Sequence, residues 1–173
     1  MDNAAAAQTA VEHLIERGHK YIGMLAGKEG VPPHYSRTAG YRQALAAKGI
    51  LYNELLVQSG DFTESGGYQS MQKLLNRDTC LTAVFVANDL IAMRAMLAIR
   101  EAGMNVPDDI AVVGFDDIPA AKLVHPPLTT IRHHQSQIGR KAAELLFERL
   151  NGEAPDTYRA VEMPYKLIVR ETT

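Results

Sequence analysis

The hydrophobic positions of the chain form short apolar runs that alternate with stretches of helical period. Four runs contain clustered apolar residues and are predicted to be strands: 21–27, 55–61, 82–89 and 110–117. Strands without polar alternation are typical of a parallel sheet that is covered on both faces. These runs therefore predict a sheet buried in the middle of the molecule.

Between these runs, apolar residues recur at the spacing of an α-helix. Near the N-terminus, Ala10, Val11, Leu14 and Ile15 share one helical face, and Gly18 is a stop signal. Further helices are predicted over 36–48, 65–75 and 89–102. Alternating strands and helices predict an α/β fold in which a parallel sheet is flanked by helices on both faces.

Composition and charge narrow the class of protein. The chain has 173 residues, of which 46% are hydrophobic and 22% charged, as in a globular domain. A net charge of −2 gives no general attraction to nucleic acid or anionic membranes. The single cysteine, Cys80, excludes a disulfide framework within the chain, and neither a signal peptide nor a membrane-spanning run is present. We therefore expect a cytoplasmic location.

Polar or aromatic residues follow the predicted strands at the ends where open α/β sheets bind ligands. Asp116 lies at the end of the fourth strand, Asn88 at the third and Phe62 at the second, and Arg37 follows the first. A carboxylate and an amide can hold hydroxyl groups, a guanidinium donates in a fork, and an aromatic ring can cover a sugar. We predict that these four residues converge on one ligand.

Helix capping and packing are the alternatives for residues at these strand ends. Asp89 is expected to cap the helix that follows it. Asp117 could either cap a helix or face a ligand. Arg37 could be a solvated helix residue, and Phe62 could pack within its loop.

No motif for catalysis or metal binding accompanies these residues. The chain lacks GxxxxGK[ST], HExxH, CxxC and GxSxG. His133 and His134 are adjacent and are therefore poorly placed to share one metal ion. Asp116 and Asp117 should point apart at a strand end, and no nucleophile accompanies them. We predict a binding protein rather than an enzyme, with no metal or cofactor.

Six segments follow one another along the chain: ERGHKYIGMLAG, SRTAGYRQAL, GDFTESGGYQSM, AVFVANDLIAMRAM, VPDDIAVVGFDD and PPLTTIRHHQSQIG. In this order and spacing they resemble the lactose-repressor/galactose-repressor (LacI/GalR) family of transcriptional regulators, from Asp2 to Thr173. Members of that family join an N-terminal helix-turn-helix to an effector-binding core of two lobes. That core is similar to type I periplasmic sugar-binding proteins.

The resemblance implies how the chain is divided. Residues 1–127 would form the C-terminal lobe of the core, 128–158 would return into the N-terminal lobe, and 159–173 would come back as a final strand. The DNA-binding domain and most of the N-terminal lobe would be absent from this sequence. Operator DNA would then be bound only through that missing N-terminal domain.

The resemblance also implies a ligand and a mechanism. Arg37, Phe62, Asn88 and Asp116 match effector-contacting positions of the family. Val31 and Pro33 stand where purine-binding members have polar side chains, which favours a sugar as effector. The effector would control operator binding allosterically. A periplasmic-type sugar-binding protein and a nucleotide-dependent α/β enzyme are the alternatives.

The helix predicted over 89–102 has more apolar surface than one contact with the sheet requires. Contiguous apolar surface of this kind often marks an interface between proteins. The family's C-terminal lobes pair through this helix and the segment after GFDD. We therefore expect a homodimer with Met93, Leu97, Leu123 and Val124 at its interface.

Overall fold

Six strands form a single sheet. The computed structural model describes residues 1–60, 63–77, 79–155, 157 and 159–173. The strands are β1 (Ile22–Gly27), β2 (Val57–Ser59), β3 (Ala83–Val86), β4 (Ala111–Asp116), β5 (Thr129–His133) and β6 (Tyr165–Ile168). Their order in the sheet is β2-β1-β3-β4-β5-β6, and every neighbouring pair is parallel except β5 and β6. The predicted parallel α/β sheet is confirmed.

Helices cover both faces of this sheet, as predicted. They are α1 (Asn3–Glu16), α2 (Pro32–Ala47), α3 (Glu64–Leu75), α4 (Asp89–Glu101) and α5 (Gln135–Leu150). One hydrophobic core joins α1 and α2 to the sheet, and a second core joins α3 and α4 to its other face. None of the helices in the described ranges is long and apolar enough to cross a membrane.

Successive residues of the central strands enter different cores, which explains why these strands lack polar alternation. Met24 and Phe85 lie in the core beneath α1 and α2, whereas Leu25 and Val84 lie in the core beneath α3 and α4. All four side chains are at most 1% exposed. The apolar runs of the sequence therefore follow directly from a sheet that is buried on both faces.

Two boundaries differ from the predictions for local reasons. Helix α2 begins at Pro32 rather than at 36, because proline suits the first turn of a helix, where its missing N–H is not needed. Strand β2 begins at Val57 rather than at 55, because residues 54–56 form a 3-10 turn. The Asn53 side chain stabilises this turn by accepting a hydrogen bond from the Leu55 N–H.

Strand β5 corrects the predicted division of the chain. Residues 128–158 were expected to leave this lobe, but Thr129–His133 pairs in parallel with β4 in the same sheet. Thr129 and Thr130 are fully buried, and their hydroxyl groups form hydrogen bonds to the hydroxyl of Thr173 and to the carboxylate of Asp89, respectively. The sheet therefore includes Thr129–His133, and the assignment of the rest of 128–158 to another lobe stays a prediction.

Candidate functional site

Arg37 lies on α2 with its guanidinium at the carboxyl edge of the sheet. Its carbon Cζ is 3.6 Å from the centre of the Phe115 ring. Its Nε donates to Asn3 Oδ1 at 3.0 Å, and Nη1 donates to the Ala87 carbonyl. Nη2 lies 3.7 Å from Asp116 Oδ1. The structure thus shows Arg37 as a buried, fully held cation and not as a solvated helix residue.

Asp116 presents its carboxylate at the same edge. It is the last residue of β4, and its side chain is 24% exposed. Oδ1 accepts from His133 Nε2 at 3.0 Å and faces Arg37. Within the described ranges no donor contacts Oδ2. This oxygen can therefore accept a hydrogen bond from a bound ligand.

The side chain of Asp117 is only 3% exposed, although the residue lines the same cleft as Asp116. Its Oδ2 accepts from Arg132 Nε at 2.5 Å, and its Oδ1 accepts from Arg170 Nη2 at 2.5 Å. Burial by itself would raise the pKa of Asp117. The hydrogen bonds and charges of Arg170 and Arg132 overcome this effect and lower the pKa below its usual value. The capping alternative for Asp117 was wrong, because its carboxylate contacts two guanidinium groups instead.

Asn88, and not Asp89, caps α4, since the Asn88 Oδ1 accepts from the Ile91 N–H at 2.8 Å. Asp89 is already inside the helix and is fully buried. It accepts from the Ile118 N–H at 2.9 Å and from the Thr130 hydroxyl at 2.6 Å. The prediction that Asp89 caps the helix is therefore wrong.

The environment of Asp89 makes its carboxyl group a weaker acid than an exposed aspartate. Burial raises the pKa of Asp89 to about 6, although the hydrogen bonds from Thr130 and Ile118 oppose this shift. The charges of Asp116 and Asp117 add to the rise. For Arg37, burial lowers the pKa, and the carboxylates of Asp116 and Asp89 oppose that change. Arg37, Asp89 and Asp116 thus influence one another's charge at this edge of the sheet, and Asp116 has the partly exposed carboxylate.

Three of the four predicted ligand residues can be placed in the structure. Arg37 and Asp116 face each other, and Asn88 directly follows the residue whose carbonyl Arg37 contacts. Phe62 lies outside the described residues. A cleft of about 330 Å³ adjoins Asp116 and extends along the end of β5 toward His134.

His133 is a candidate site residue that sequence reasoning missed. The pair His133–His134 was considered only as a metal site, yet His133 holds the carboxylate of Asp116. Its other ring nitrogen, Nδ1, is buried without a hydrogen-bond partner in the described part of the chain. The sequence did contain a signal, because His133 ends a run of apolar residues and threonines. If this run had been recognised as strand β5, His133 would have been placed beside Asp116.

The expected interface residues lie on a separate surface. A larger cavity, of about 590 Å³, runs along α4 and is lined in part by Met93, Leu97 and Val124. Leu123 precedes Val124 in the sequence, and its side chain is 84% exposed. This cavity shares no lining residue with the cleft beside Asp116.

Residues 11–173 match the family described as periplasmic binding protein-like domain. The chain is 40% identical over 172 residues to the HTH-type transcriptional regulator CelR of Thermobifida fusca, covering 99% of this chain and 50% of that protein. It is also 40% identical over 163 residues to the HTH-type transcriptional repressor PurR of Pasteurella multocida (strain Pm70), covering 94% of this chain and 48% of that protein.

Similar solved structures are also transcriptional regulators. A transcriptional regulator CelR–cellobiose complex superposes with a TM-score of 0.96 at 39% identity, covering 100% of this chain and 53% of that one. A sugar-binding transcriptional regulator of the LacI family from Escherichia coli, complexed with phosphate, gives 0.90 at 33% identity, covering 99% and 61%.

The chain belongs to the periplasmic binding protein-like domain family. The resemblance to effector-binding cores of LacI-type regulators is confirmed. The chain spans about half the length of the curated relatives it matches. Those relatives are named as transcriptional regulators or repressors rather than enzymes, in agreement with the predicted class.

Proposed function

We propose that this chain is the effector-sensing lobe of a LacI-type transcriptional regulator. The observation that carries the proposal is the pairing of Arg37 with the accessible carboxylate of Asp116 at the carboxyl edge of a parallel sheet. This is the edge at which open α/β sheets bind ligands. The relatives and their complexes support the same class of function.

The effector is a sugar or a similar polyol. Asp116 Oδ2 can accept from one hydroxyl, and the Asn88 side chain lies at the neighbouring strand end. The start of α2 carries Val31 and Pro33, whose side chains offer no hydrogen bond to a purine. The similar CelR structure is a complex with cellobiose, which makes this disaccharide the first candidate.

A second lobe completes the site. Helix α5 has no buried residue, and Leu146, Phe147 and Leu150 are 58%, 62% and 71% exposed. Apolar side chains at helical spacing need a covering surface. We assign α5 to the N-terminal lobe, whose remaining part comes from sequence that precedes this chain in the regulator. Residues 1–133 and 159–173 form the C-terminal lobe.

The remaining steps follow from a two-lobed regulator. The effector binds between the lobes and favours one lobe arrangement, which requires different affinities in the two arrangements. Pairing of two copies through Met93, Leu97, Leu123 and Val124 transmits this change to DNA-binding domains at the N-terminus. The regulator acts in the cytoplasm, where its operator DNA is found.

A ligand panel tests this function directly. The regulator that carries this chain is mixed with cellobiose, other mono- and disaccharides, purines and nucleotides, and the melting temperature is recorded with each. We expect a rise for one sugar only, because a ligand that binds the native state stabilises it. A rise with purines alone would reject the sugar assignment. Conversion of any compound, followed by mass spectrometry, would reject effector sensing in favour of an enzyme.

A further inference from the structure

Strand β4 ends in a turn with unusual backbone torsions. The φ angle is 111° at Asp116 and 52° at Asp117. Positive φ values are uncommon for residues other than glycine, and they persist only where the surrounding contacts hold them. The orientation of the Asp116 carboxylate depends directly on this turn. The contacts that stabilise this turn therefore also determine the orientation of the Asp116 carboxylate toward a ligand.

The carboxylate of Asp117 is one anchor of the turn. Arg132 contacts Oδ2 and Arg170 contacts Oδ1, both at 2.5 Å. Charge-assisted hydrogen bonds to a nearly buried carboxylate are strong and directional. On the following residue, the Ile118 N–H donates to Asp89. The turn is thus held from β5, from the end of the chain and from α4.

Arg170 is itself held rigidly. Its Nη1 donates to the Leu128 carbonyl at 2.5 Å, and its backbone N–H donates to Thr129 Oγ1 at 2.9 Å. Its side chain is 13% exposed. In contrast to Arg132, it does not line the cleft beside Asp116. Arg170 therefore acts on a ligand in this cleft indirectly, and Asp117 is the residue of the cleft lining that it contacts.

We propose that Arg170, acting through Asp117, is a positioning residue for the carboxylate of Asp116. Arg170 follows β6, the strand that enters the sheet after α5, and is 53 residues from Asp117 in the chain. Its ion pair thus ties the returning segment to the turn that presents Asp116. Ligand binding at Asp116 and the packing of the segment that contains β6 and Arg170 consequently depend on each other. The link to effector binding rests on the function proposed above.

The experiment compares two half-buried arginines in the regulator that carries this chain. Arg170→Met removes both guanidinium contacts but keeps the aliphatic stem, and Arg170→Lys keeps the charge without the fork. Arg77→Met is the matched control. Arg77 also makes several hydrogen bonds, to Leu55, Val57 and Gln58, but at the opposite end of the sheet.

Two measurements are made on each variant. The Cα chemical shifts of Asp116 and Asp117, recorded by NMR without ligand, report the backbone torsions of the turn. Calorimetry with cellobiose reports affinity. For Arg170→Met we expect shifted Cα resonances at both residues and a loss of affinity of about tenfold or more. Arg170→Lys should lie between wild type and Arg170→Met. Arg77→Met should lower the melting temperature while leaving both readouts unchanged.

Unchanged Cα shifts at Asp116 and Asp117 in folded Arg170→Met would overturn the positioning role. An equal loss of affinity in Arg77→Met would also overturn it, since a general loss of stability would then explain the effect. If Arg170→Met does not fold, the shifts of Arg170→Lys decide in the same way. If wild type does not bind cellobiose, the choice of sugar fails, whereas the ligand-free shifts still decide the role of Arg170.

Discussion

Replacing Asp89 with asparagine should change how the stability of the protein depends on pH. Asp89 is fully buried and contacts the Ile118 N–H and the Thr130 hydroxyl. Burial raises its pKa from 3.8 to about 6 in the folded state. The native state therefore binds this proton more tightly than the unfolded chain does. Protonation of Asp89 favours folding, and this contribution is lost as the pH rises.

The size of the effect follows from the shift. A rise of the pKa from 3.8 to about 6 corresponds to roughly 3 kcal/mol of unfolding free energy. This stabilisation is fully present below about pH 4 and is lost by about pH 6 to 7. Asparagine does not titrate, and its carbonyl can still accept from Ile118. The stability of Asp89→Asn relative to wild type should therefore increase by roughly 3 kcal/mol between about pH 4 and 7.

Urea unfolding at a series of pH values measures this difference. Asp108→Asn, which replaces an exposed carboxylate on a loop, is the control and should follow the pH dependence of wild type. A constant difference between Asp89→Asn and wild type from about pH 4 to 7 would refute the reasoning. It would mean that Asp89 has the same proton affinity in the folded and unfolded states.

Two further predictions concern packing and assembly. Met93→Glu should shift the protein from dimer to monomer in analytical ultracentrifugation, because it places a charge on the apolar surface of α4; a wild type that is monomeric at micromolar concentration would contradict the dimer. Gly40→Ala should cost about 1–3 kcal/mol of unfolding free energy, since its Cβ would lie 2.1 Å from the Ala4 carbonyl oxygen where α1 crosses α2. The matched variant Gly139→Ala, whose Cβ meets nothing within 4 Å, should not be destabilised.

The sheet could be predicted because its central strands are buried on both sides. Residues 21–27, 82–89 and 110–117 are mainly apolar, and each contains a strand of the structure. Strand β5 could not be recognised in the same way. Thr129 and Thr130 look polar in the sequence, but their hydroxyl groups are satisfied inside the fold by partners that are distant in sequence.

The candidate site could be predicted only as far as one general rule extends. Because ligands bind at the carboxyl ends of parallel strands, Arg37 and Asp116 were expected at one edge, and the structure places them together. The sequence could not predict that Asp116 faces Arg37 whereas Asp117 binds Arg132 and Arg170. This difference depends on the torsions of the turn and on Arg170, which lies far along the chain.

The central claim is that the effector binds at Asp116, and the most direct test is to measure sugar affinity by calorimetry after replacing that residue. The sugar that raises the melting temperature in the panel is titrated into wild type and into Asp116→Ala. Asp116→Ala should remain folded and lose about 1–3 kcal/mol of binding free energy, because a ligand hydroxyl loses its charged acceptor. Affinity equal to that of wild type would contradict the assignment of this edge as the effector site.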